Sequence, residues 1–586
     1  MRGFPARRGK ASRRVTQVTR PSSRLRRGVV LKTSPSAPSL MMRISFMTRR
    51  LILSKIGFYI VTPVQKLPRQ PGPAASRTAR FGRNVLWNLS GQAGLMSLGF
   101  LLVPFLLRSL GTEGYALYGL LGMLAGSLSL LNFGSPSATQ RTVAEHIARG
   151  ETDRLRSILY FSIFLHTVGV LLGAAAVLIL RARLTQEFFN ISPELRRTGT
   201  WIIACGAAAS VFFSWTQFAL ALLQGLQDFA AANLLTLLQN GLILVGSVVL
   251  LRLGFGLRAV AVFFISIQLA VSLIALTAAL RRMPPPARAS GPEPPRGKEM
   301  RAFSGYAFSV FLAQLAWSAT FQWDKAIIGY FFPMTQLTYY LIPSFLLRRC
   351  AILANSVMTT AFPLMSELSG LGDHAALRKA YRQCSRLALW LIVPGFALIF
   401  ALAPQFLTLW LGAEFASRGA RPLRLLLGAY FLQQLGSMPL TAAYGLGRPS
   451  SALAWQTLQA AVSLGCWFFL IPRLGITGAA LGLFAAQALT APPYALLMSR
   501  ALFSMGPAEY LEGILLRPLA AGTVLCLFLW PLRDRASAWT SLLSLSATSV
   551  FLYYAAGFLL LADEDRLTLG RLWAALRSRR LREGTQ

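Results

Sequence analysis

The stretch "ANLLTLLQNGLILVGSVVLLRLGFGLRAVAVFFISIQLAVSLIALTAAL" (residues 232–280) decides the fold class. It contains two long apolar runs, and its only charged residues, Arg252 and Arg258, stand at the short segment between them. A helix of about 20 apolar residues is long enough to cross the hydrocarbon core of a bilayer. The stretch therefore predicts two membrane-spanning helices joined by a tight turn.

The rest of the chain repeats this pattern. Of its 586 residues, 54% are hydrophobic and only 13% are charged, whereas soluble proteins carry about 25% charged residues. Because lipid offers no hydrogen-bond partners to the backbone, the runs must be helical, and we predict an all-α polytopic membrane protein. About fourteen runs reach spanning length, at roughly 85–107, 115–134, 157–180, 200–223, 232–251, 258–280, 302–331, 336–358, 386–404, 423–444, 450–471, 477–498, 513–531 and 540–562.

The formal net charge of +39 does not indicate a nucleic-acid partner. Residues 1–83 are strongly basic and contain no acid, but they show neither a binding motif nor an apolar period that could build a folded basic face. Three interpretations of this tail stay open. It resembles a transit peptide in composition, it could be a disordered arm on anionic headgroups, or the true start lies further on, at Met41, Met42 or Met47.

The distribution of basic residues predicts the topology. Loops on the cytoplasmic side carry more Lys and Arg than outer loops, and this rule favours both termini in the cytoplasm. One loop departs from it, since "RARLTQEFFNISPELRR" (181–197) places four arginines on the predicted outer side. The predicted inner segments rich in basic residues are 135–156, 281–301, 359–385 and the tail 563–586.

An internal repeat is visible at a nearly constant separation. The segments 144–156 and 366–378 share the pattern E-x4-G-acid-x3-L-R, and Gln239 matches Gln459. Six spans in each repeat would give the two copies the same orientation, so we predict two six-helix lobes related by a pseudo-twofold axis along the membrane normal. The predicted parts are an N-lobe (84–282), a Pro-rich cytoplasmic linker (283–301), a C-lobe (302–500), two extra helices (512–562) and a cytoplasmic tail (563–586).

Several short segments resemble a known family over about residues 84–500. They are "PFLLRSLG" (104–111), "NFG" (132–134), "WDKAIIGYFF" (323–332) and "LWLGAEF" (409–415). Together they resemble the bacterial polysaccharide-export flippases of the multidrug/oligosaccharidyl-lipid/polysaccharide exporter superfamily.

The resemblance implies a multi-pass protein of the bacterial cytoplasmic membrane. Such a protein would move polyprenyl-diphosphate-linked oligosaccharides between the leaflets by alternating access of its lobes. The bilayer and the lipid-linked oligosaccharide would be its partners, with other membrane proteins of polysaccharide assembly as further candidates. No cofactor is expected.

Two adjacent charges stand within the run 302–331. Asp324 is the only acid well inside a predicted span, next to Lys325. A buried charge costs at least about 2.5 kcal/mol, so these residues need a partner or a cavity. Either Lys325 reaches outward to the headgroups and Asp324 neutralises it, or both serve transport, with Lys325 binding the diphosphate and Asp324 coupling transport to an ion.

Three arginines are further candidates for the diphosphate. Arg348 and Arg349 lie near the middle of the run 336–358, and the fork of an arginine fits phosphate oxygens. Arg141, just past the second run, either marks the inner boundary or meets a phosphate at the entrance.

Buried amides could line a polar path for sugars. They could equally form hydrogen bonds between helices, which is common in membranes, and the sequence does not separate these roles. The amides that we select are Asn88, Gln92, Gln239 and Gln314.

Enzyme chemistry has little support. The sequence shows no Ser-His-Asp set, paired carboxylates, phosphate-binding loop or zinc spacing, so we predict neither a catalytic nor a metal site. Two alternatives to a flippase stay open. An ion-coupled exporter of organic cations would need acids in its cavity, and a polysaccharide polymerase or ligase would need a long outer loop with catalytic charges.

Overall fold

The computed structural model describes residues 74–149, 152–283, 297–370, 372–446 and 449–560. The predictions for most of the N-terminal tail, for most of the Pro-rich linker and for the C-terminal tail lie outside these residues. The first helix begins at Ala74, so the end of the predicted tail is helical.

The first half of the chain, here residues 74–283, consists of helices joined by short segments. A 3₁₀ turn (Ser129–Asn132) follows the first helix and a π-helical turn (Leu184–Phe188) follows the third. The helices are α1 (Ala74–Leu128), α2 (Ser135–Arg149), α3 (Thr152–Arg183), α4 (Arg196–Gly225), α5 (Phe229–Arg252) and α6 (Leu257–Arg282).

The second half, residues 297–560, is built in the same way. Its helices are α7 (Gly297–Phe321), α8 (Trp323–Phe331), α9 (Met334–Gly370), α10 (His374–Leu411), α11 (Ala413–Gly445), α12 (Pro449–Phe503), α13 (Pro507–Tyr510), α14 (Arg517–Leu532) and α15 (Trp539–Leu560). The described residues contain no β-strand. The predicted class, an all-α polytopic membrane protein, is confirmed.

Two of the long helices bend sharply at a glycine. Gly111 in α1 (φ 70°, ψ 175°) and Gly475 in α12 (φ 59°, ψ −138°) have positive φ angles that other residues rarely adopt. Each helix is therefore two spanning segments. Among the described residues, eight helical stretches are long and apolar enough to cross a membrane, and two of them contain these bends. The count of fourteen spans stays a prediction.

Short local signals set several helix starts. The Asp228 carboxylate accepts a hydrogen bond from the Ala231 amide at 3.1 Å and caps α5, and Asp373 does the same for α10 through Ala376 at 2.9 Å. These caps satisfy amides that have no partner inside the helix. Asp373 is the acid in the second copy of the repeated E-x4-G-acid pattern, so in this copy the pattern starts a helix.

The largest apolar core joins the two halves. It contains Leu117 of α1, Ile202 of α4, Tyr340 of α9 and Trp467 of α12. Small residues allow the close approach on which helix packing in lipid depends. Gly119 shows this, because a Cβ atom there would lie 2.7 Å from the Leu341 Cδ1 atom.

The halves touch at two opposite ends of the bundle. At one, which we call the Gly111 end, the Thr338 hydroxyl donates to the Thr112 carbonyl at 2.5 Å, and the Asn190 amide donates to the Gly329 carbonyl at 3.0 Å. At the other, which we call the Gly134 end, the rings of Phe133 and Phe311 lie 5.3 Å apart. The topology prediction places the Gly111 end outside.

Candidate functional site

A helix break organises the site. The run 302–331 was predicted as one helix, but α7 ends at Phe321 and α8 begins at Trp323, with Gln322 between them at φ −127° and ψ −33°. In a continuous helix the Lys325 amide would donate to the Phe321 carbonyl. Here it donates instead to the Asp324 carboxylate at 2.9 Å and to the Gln322 carbonyl at 3.3 Å, which leaves the Phe321 carbonyl free for side chains.

The two charges of this segment form a buried ion pair. The Lys325 ammonium lies 2.8 Å from the Asp324 Oδ1 atom and donates to the Phe321 carbonyl at 2.7 Å. The Tyr340 hydroxyl donates to the Asp324 Oδ2 atom at 2.6 Å. Lys325 is 5% exposed and Asp324 is 1% exposed. Lys325 therefore does not reach out to the headgroups, and Asp324 has a partner on each oxygen.

Arg348 joins this group from α9. Its Nη2 atom donates to the Phe321 carbonyl at 3.2 Å, and its guanidinium lies 5.9 Å from the Trp317 ring centre. With its amide oriented toward Arg348, the Gln322 oxygen accepts from the Nη1 atom at 2.8 Å. We call Phe321, Asp324, Lys325, Tyr340 and Arg348 the break cluster.

The break cluster carries one excess positive charge. Lys325 and Asp324 neutralise each other, whereas the contacts of Arg348 are to a carbonyl, an amide and aromatic rings. Arg348 forms no ion pair with an acid of the described residues. Tyr430 of α11 is also close enough to interact with both Arg348 and Asp324. An uncompensated arginine among neutral partners suits an anion.

The other predicted diphosphate ligands do not join the break cluster in the described residues. Arg141 lies on α2, where it pairs with Glu145 at 2.7 Å and covers the Tyr306 ring at 4.8 Å, near the Gly134 end. Arg349 lies on α9, and its side chain is outside the described part of the structure.

The predicted amides are in three different situations. Gln314 lies two turns before the break, and its buried Oε1 atom has no hydrogen-bond partner in the described residues. Gln239 of α5 donates to Gln268 of α6, which agrees with a hydrogen bond between helices. Asn88 and Gln92 lie on α1, but their side chains are outside the described residues.

The amide pair recurs in the second half. Gln459 donates to Gln487 at 2.5 Å and also lies 3.1 Å from the Gln433 oxygen. Gln239 and Gln459 are the residues matched by the predicted repeat. Each pair joins neighbouring spanning segments near their middle, which agrees with a role in helix packing.

Sequence reasoning missed Tyr340, Tyr430, Gln322 and the Phe321 carbonyl. Gln322 is not a residue that signals a break, since Gly and Pro are the strong signals. Tyr340 and Asp324 are 16 residues apart on different helices, a separation that no helical period connects. In the sequence, only the two adjacent charges in an apolar run indicated where the break cluster lies.

The side chains of the break cluster favour binding of an anion over binding of a metal ion. In the described part of the chain, no group of three His, Cys, Asp or Glu side chains could hold a metal ion. The break cluster has one acid, and that acid is already bonded.

The fold resembles that of a solved multidrug transporter and a solved lipid flippase. An inward-facing multidrug transporter, described as a MATE family transporter of the MOP superfamily, aligns with 72% of this chain and 98% of its own at 16% identity and a TM-score of 0.58. The lipid II flippase MurJ, in an inward closed conformation, aligns with 81% of this chain and 98% of its own at 13% identity and a TM-score of 0.62. The chain therefore has the fold of these two solved membrane proteins, in agreement with its long apolar helices.

Two sequence comparisons indicate which kind of transporter the chain resembles. Residues 81–369 match the family model described as "Polysaccharide biosynthesis protein". A Shigella flexneri protein named "Putative O-antigen transporter" is 20% identical over 408 residues, which cover 68% of this chain and 93% of that protein. Both matches bear out the resemblance drawn from the sequence, to the polysaccharide-export transporters of the multidrug/oligosaccharidyl-lipid/polysaccharide exporter superfamily. The name of the Shigella flexneri relative describes a transporter.

Proposed function

We propose that the protein is a flippase that moves a polyprenyl-diphosphate-linked oligosaccharide across the bacterial cytoplasmic membrane for cell-surface polysaccharide synthesis. Both termini would lie in the cytoplasm, and other membrane proteins of polysaccharide assembly are candidate partners. The observation that carries this proposal is Arg348, a cation without an acidic partner among the described residues, beside a broken helix.

Arg348 is the first diphosphate ligand in this scheme. Its present partners, the Phe321 carbonyl and the Gln322 amide, are neutral, so a phosphate replaces them without leaving a buried acid unpaired. An arginine has five N–H donors, and charge-assisted bonds to phosphate are stronger than those to a carbonyl. Arg349 would lie next along α9, and Arg141 would meet the diphosphate at the Gly134 end.

Lys325 becomes available only when its ion pair opens. Asp324 holds it at 2.8 Å, with Tyr340 on the other carboxylate oxygen. A proton on Asp324 would remove the negative charge that holds the Lys325 ammonium. In this way Asp324 would couple proton uptake to cargo binding, with rocking of the two predicted lobes (84–282 and 302–500) exposing the site to each side in turn.

The test substitutes Arg348 in a strain whose own gene is deleted. Losing a hydrogen-bonded charge costs about 1.5–3 kcal/mol, so Arg348→Ala should reduce transport by about tenfold to a hundredfold. The readouts are surface polysaccharide and accumulation of the lipid-linked precursor. Arg348→Lys should retain part of the activity, since it keeps the charge but loses the fork.

Arg424 provides a matched control. Its Nε atom also donates to a helix carbonyl, that of Phe400 at 3.0 Å, but it lies outside the break cluster. Arg424→Ala should export normally at an equal protein level. Normal export by Arg348→Ala would show that Arg348 is not needed to bind the diphosphate, and this part of the proposal would be wrong.

The rival function, export of organic cations, fits the shared fold equally well. The charge of the break cluster distinguishes the two, because a cation is repelled by an excess positive charge. Expression in a drug-sensitive strain provides the comparison. Resistance to cationic dyes that is lost in Asp324→Asn, with no defect in surface polysaccharide, would favour the rival.

A further inference from the structure

The loop 181–197 carries four arginines at the Gly111 end, where the topology rule predicts few. The structure anchors the middle of this loop. The Ser192 amide donates to the Glu113 carboxylate at 2.7 Å, and the Asn190 backbone pairs with Gly329 and Met334. The proposed transport site uses none of these arginines.

Helices α4 and α6 bring two cations together at this end. The last residue of α6, Arg282, pairs with Asp228 at 2.7 Å, just after the end of α4. Because their last turns meet and the two helices pack along their length, α4 and α6 are parallel and start at the same end. Each has an arginine as its second residue, Arg197 in α4 and Arg258 in α6.

A cavity of about 450 Å³ lies between these two helix starts. Its lining is Arg197, Trp201, Arg258, Ala259 and Val262. Trp201 and Val262 each follow their arginine by one turn, and they are 47% and 46% exposed. The cations therefore stand at the rim and the apolar side chains lie below them, toward the middle of the bilayer.

No acid of the described part of the chain lines the cavity. Neither Arg197 nor Arg258 forms an ion pair with a described acid; the described ion pairs involve other residues. Neither helix start has a side-chain cap, since Leu195 and Gly256 precede α4 and α6. The first-turn amides of two parallel helices add their partial positive charge to that of the guanidiniums.

We infer that this cavity binds the phosphate headgroup of an anionic bilayer phospholipid in the leaflet at the Gly111 end. The phosphate lies between Arg197 and Arg258, and the glycerol and upper acyl chain follow Trp201 and Val262. This order, a phosphate above and hydrocarbon below, matches the order of cations and apolar side chains in the cavity. The inference does not depend on the proposed cargo.

The experiment measures lipid retention by native mass spectrometry on the purified full chain in detergent. The probes are dioleoylphosphatidylglycerol, which is anionic, and dioleoylphosphatidylethanolamine, which has no net charge. The wild type should retain the anionic lipid preferentially. In Arg197→Gln/Arg258→Gln, we expect its affinity to fall about thirtyfold at low salt, which corresponds to about 1 kcal/mol for each cation.

A matched control removes the same charge from the same end. Arg183 and Arg196 are exposed, as Arg197 and Arg258 are, but they do not line the cavity. Arg183→Gln/Arg196→Gln should therefore keep the affinity within about twofold, because exposed charges outside the site contribute little. Val262→Trp fills the cavity, keeps both cations and should also weaken retention. An equal loss in both double variants would overturn the site.

A third lipid probe tests whether the phosphate bound in the cavity belongs to a bilayer lipid or to the cargo carrier. Undecaprenyl diphosphate carries the headgroup expected of the cargo carrier. If it displaces phosphatidylglycerol from the wild type and its own binding depends on Arg197 and Arg258, the cavity belongs to the cargo and the bilayer-lipid inference is overturned. Retention of phosphatidylglycerol that does not change in any variant would overturn it as well.

Discussion

The two halves of the chain differ at a pair of positions that their predicted repeat matches. At a separation of 222 residues, Asp324 and Lys325 correspond to Leu102 and Val103. Val103 packs in the apolar core and is 2% exposed. The helix of the first half is continuous here, whereas that of the second half breaks at Gln322.

Other matched positions are alike in both halves. Gln239 and Gln459 each bond a second glutamine on a neighbouring segment. Gly254 and Gly475, from the two matched "RLG" segments, both have positive φ angles, 84° and 59°. Turns and interhelical hydrogen bonds are therefore common to both halves, while the buried Asp324–Lys325 pair has apolar residues at the matched positions of the first half. A feature that a duplicated scaffold does not need is the better candidate for function.

The largest effect should follow from unpairing the buried charges. Asp324→Asn leaves the Lys325 ammonium in the apolar interior without its counter-ion, and breaking a buried pair in this way costs about 3–5 kcal/mol. We expect a large drop in the midpoint of thermal unfolding of the detergent-purified protein.

The double variant Asp324→Leu/Lys325→Val gives the second half the residues of the first. Because apolar side chains can replace a buried ion pair with little loss, it should recover most of the stability while transport stays low. A stable double variant with normal export would show that the pair is scaffold, and the difference between the halves would then have no functional meaning.

A smaller effect is expected at the matched tyrosines. The Tyr340 hydroxyl donates to the Asp324 carboxylate, whereas the Tyr118 hydroxyl lies beside the neutral Ser247 hydroxyl. Hydrogen bonds to charged groups are worth about 1.5–3 kcal/mol and neutral ones about 0.5–1.5 kcal/mol. Tyr340→Phe should therefore destabilise more than Tyr118→Phe in the same unfolding assay, and equal losses would contradict the asymmetry.

The smallest effect is expected where the halves agree. Interhelical side-chain hydrogen bonds in membranes average about 0.6 kcal/mol and reach about 1.7 kcal/mol. Gln239→Leu and Gln459→Leu should both fall in this range, with Gln459 at the upper end because it has Gln433 as a second partner. Normal export should persist in both. A transport defect in Gln239→Leu at an equal protein level would indicate that Gln239 lines the path of the cargo.

Much of the site could be located from sequence, but its geometry could not. The adjacency of Asp324 and Lys325 within an apolar run was sufficient to select them, because charged side chains inside a membrane span are energetically costly and usually have a function. Their neighbours Arg348 and Tyr340 come from another helix, with Arg348 27 residues from the Phe321 carbonyl that it contacts. Helical periodicity relates positions within one helix and carries no information on which helices meet.

The sequence by itself determined that the chain folds as membrane helices, because the length of an apolar run and the demand for internal backbone hydrogen bonds are local properties. Only the tertiary structure decided that the helix of the second half breaks at Gln322, that Lys325 turns back to Asp324, and that Arg348 keeps an unbalanced charge. These outcomes depend on which groups of distant helices form hydrogen bonds and ion pairs in the interior of the protein. The order of residues along the chain does not show which helices come into contact.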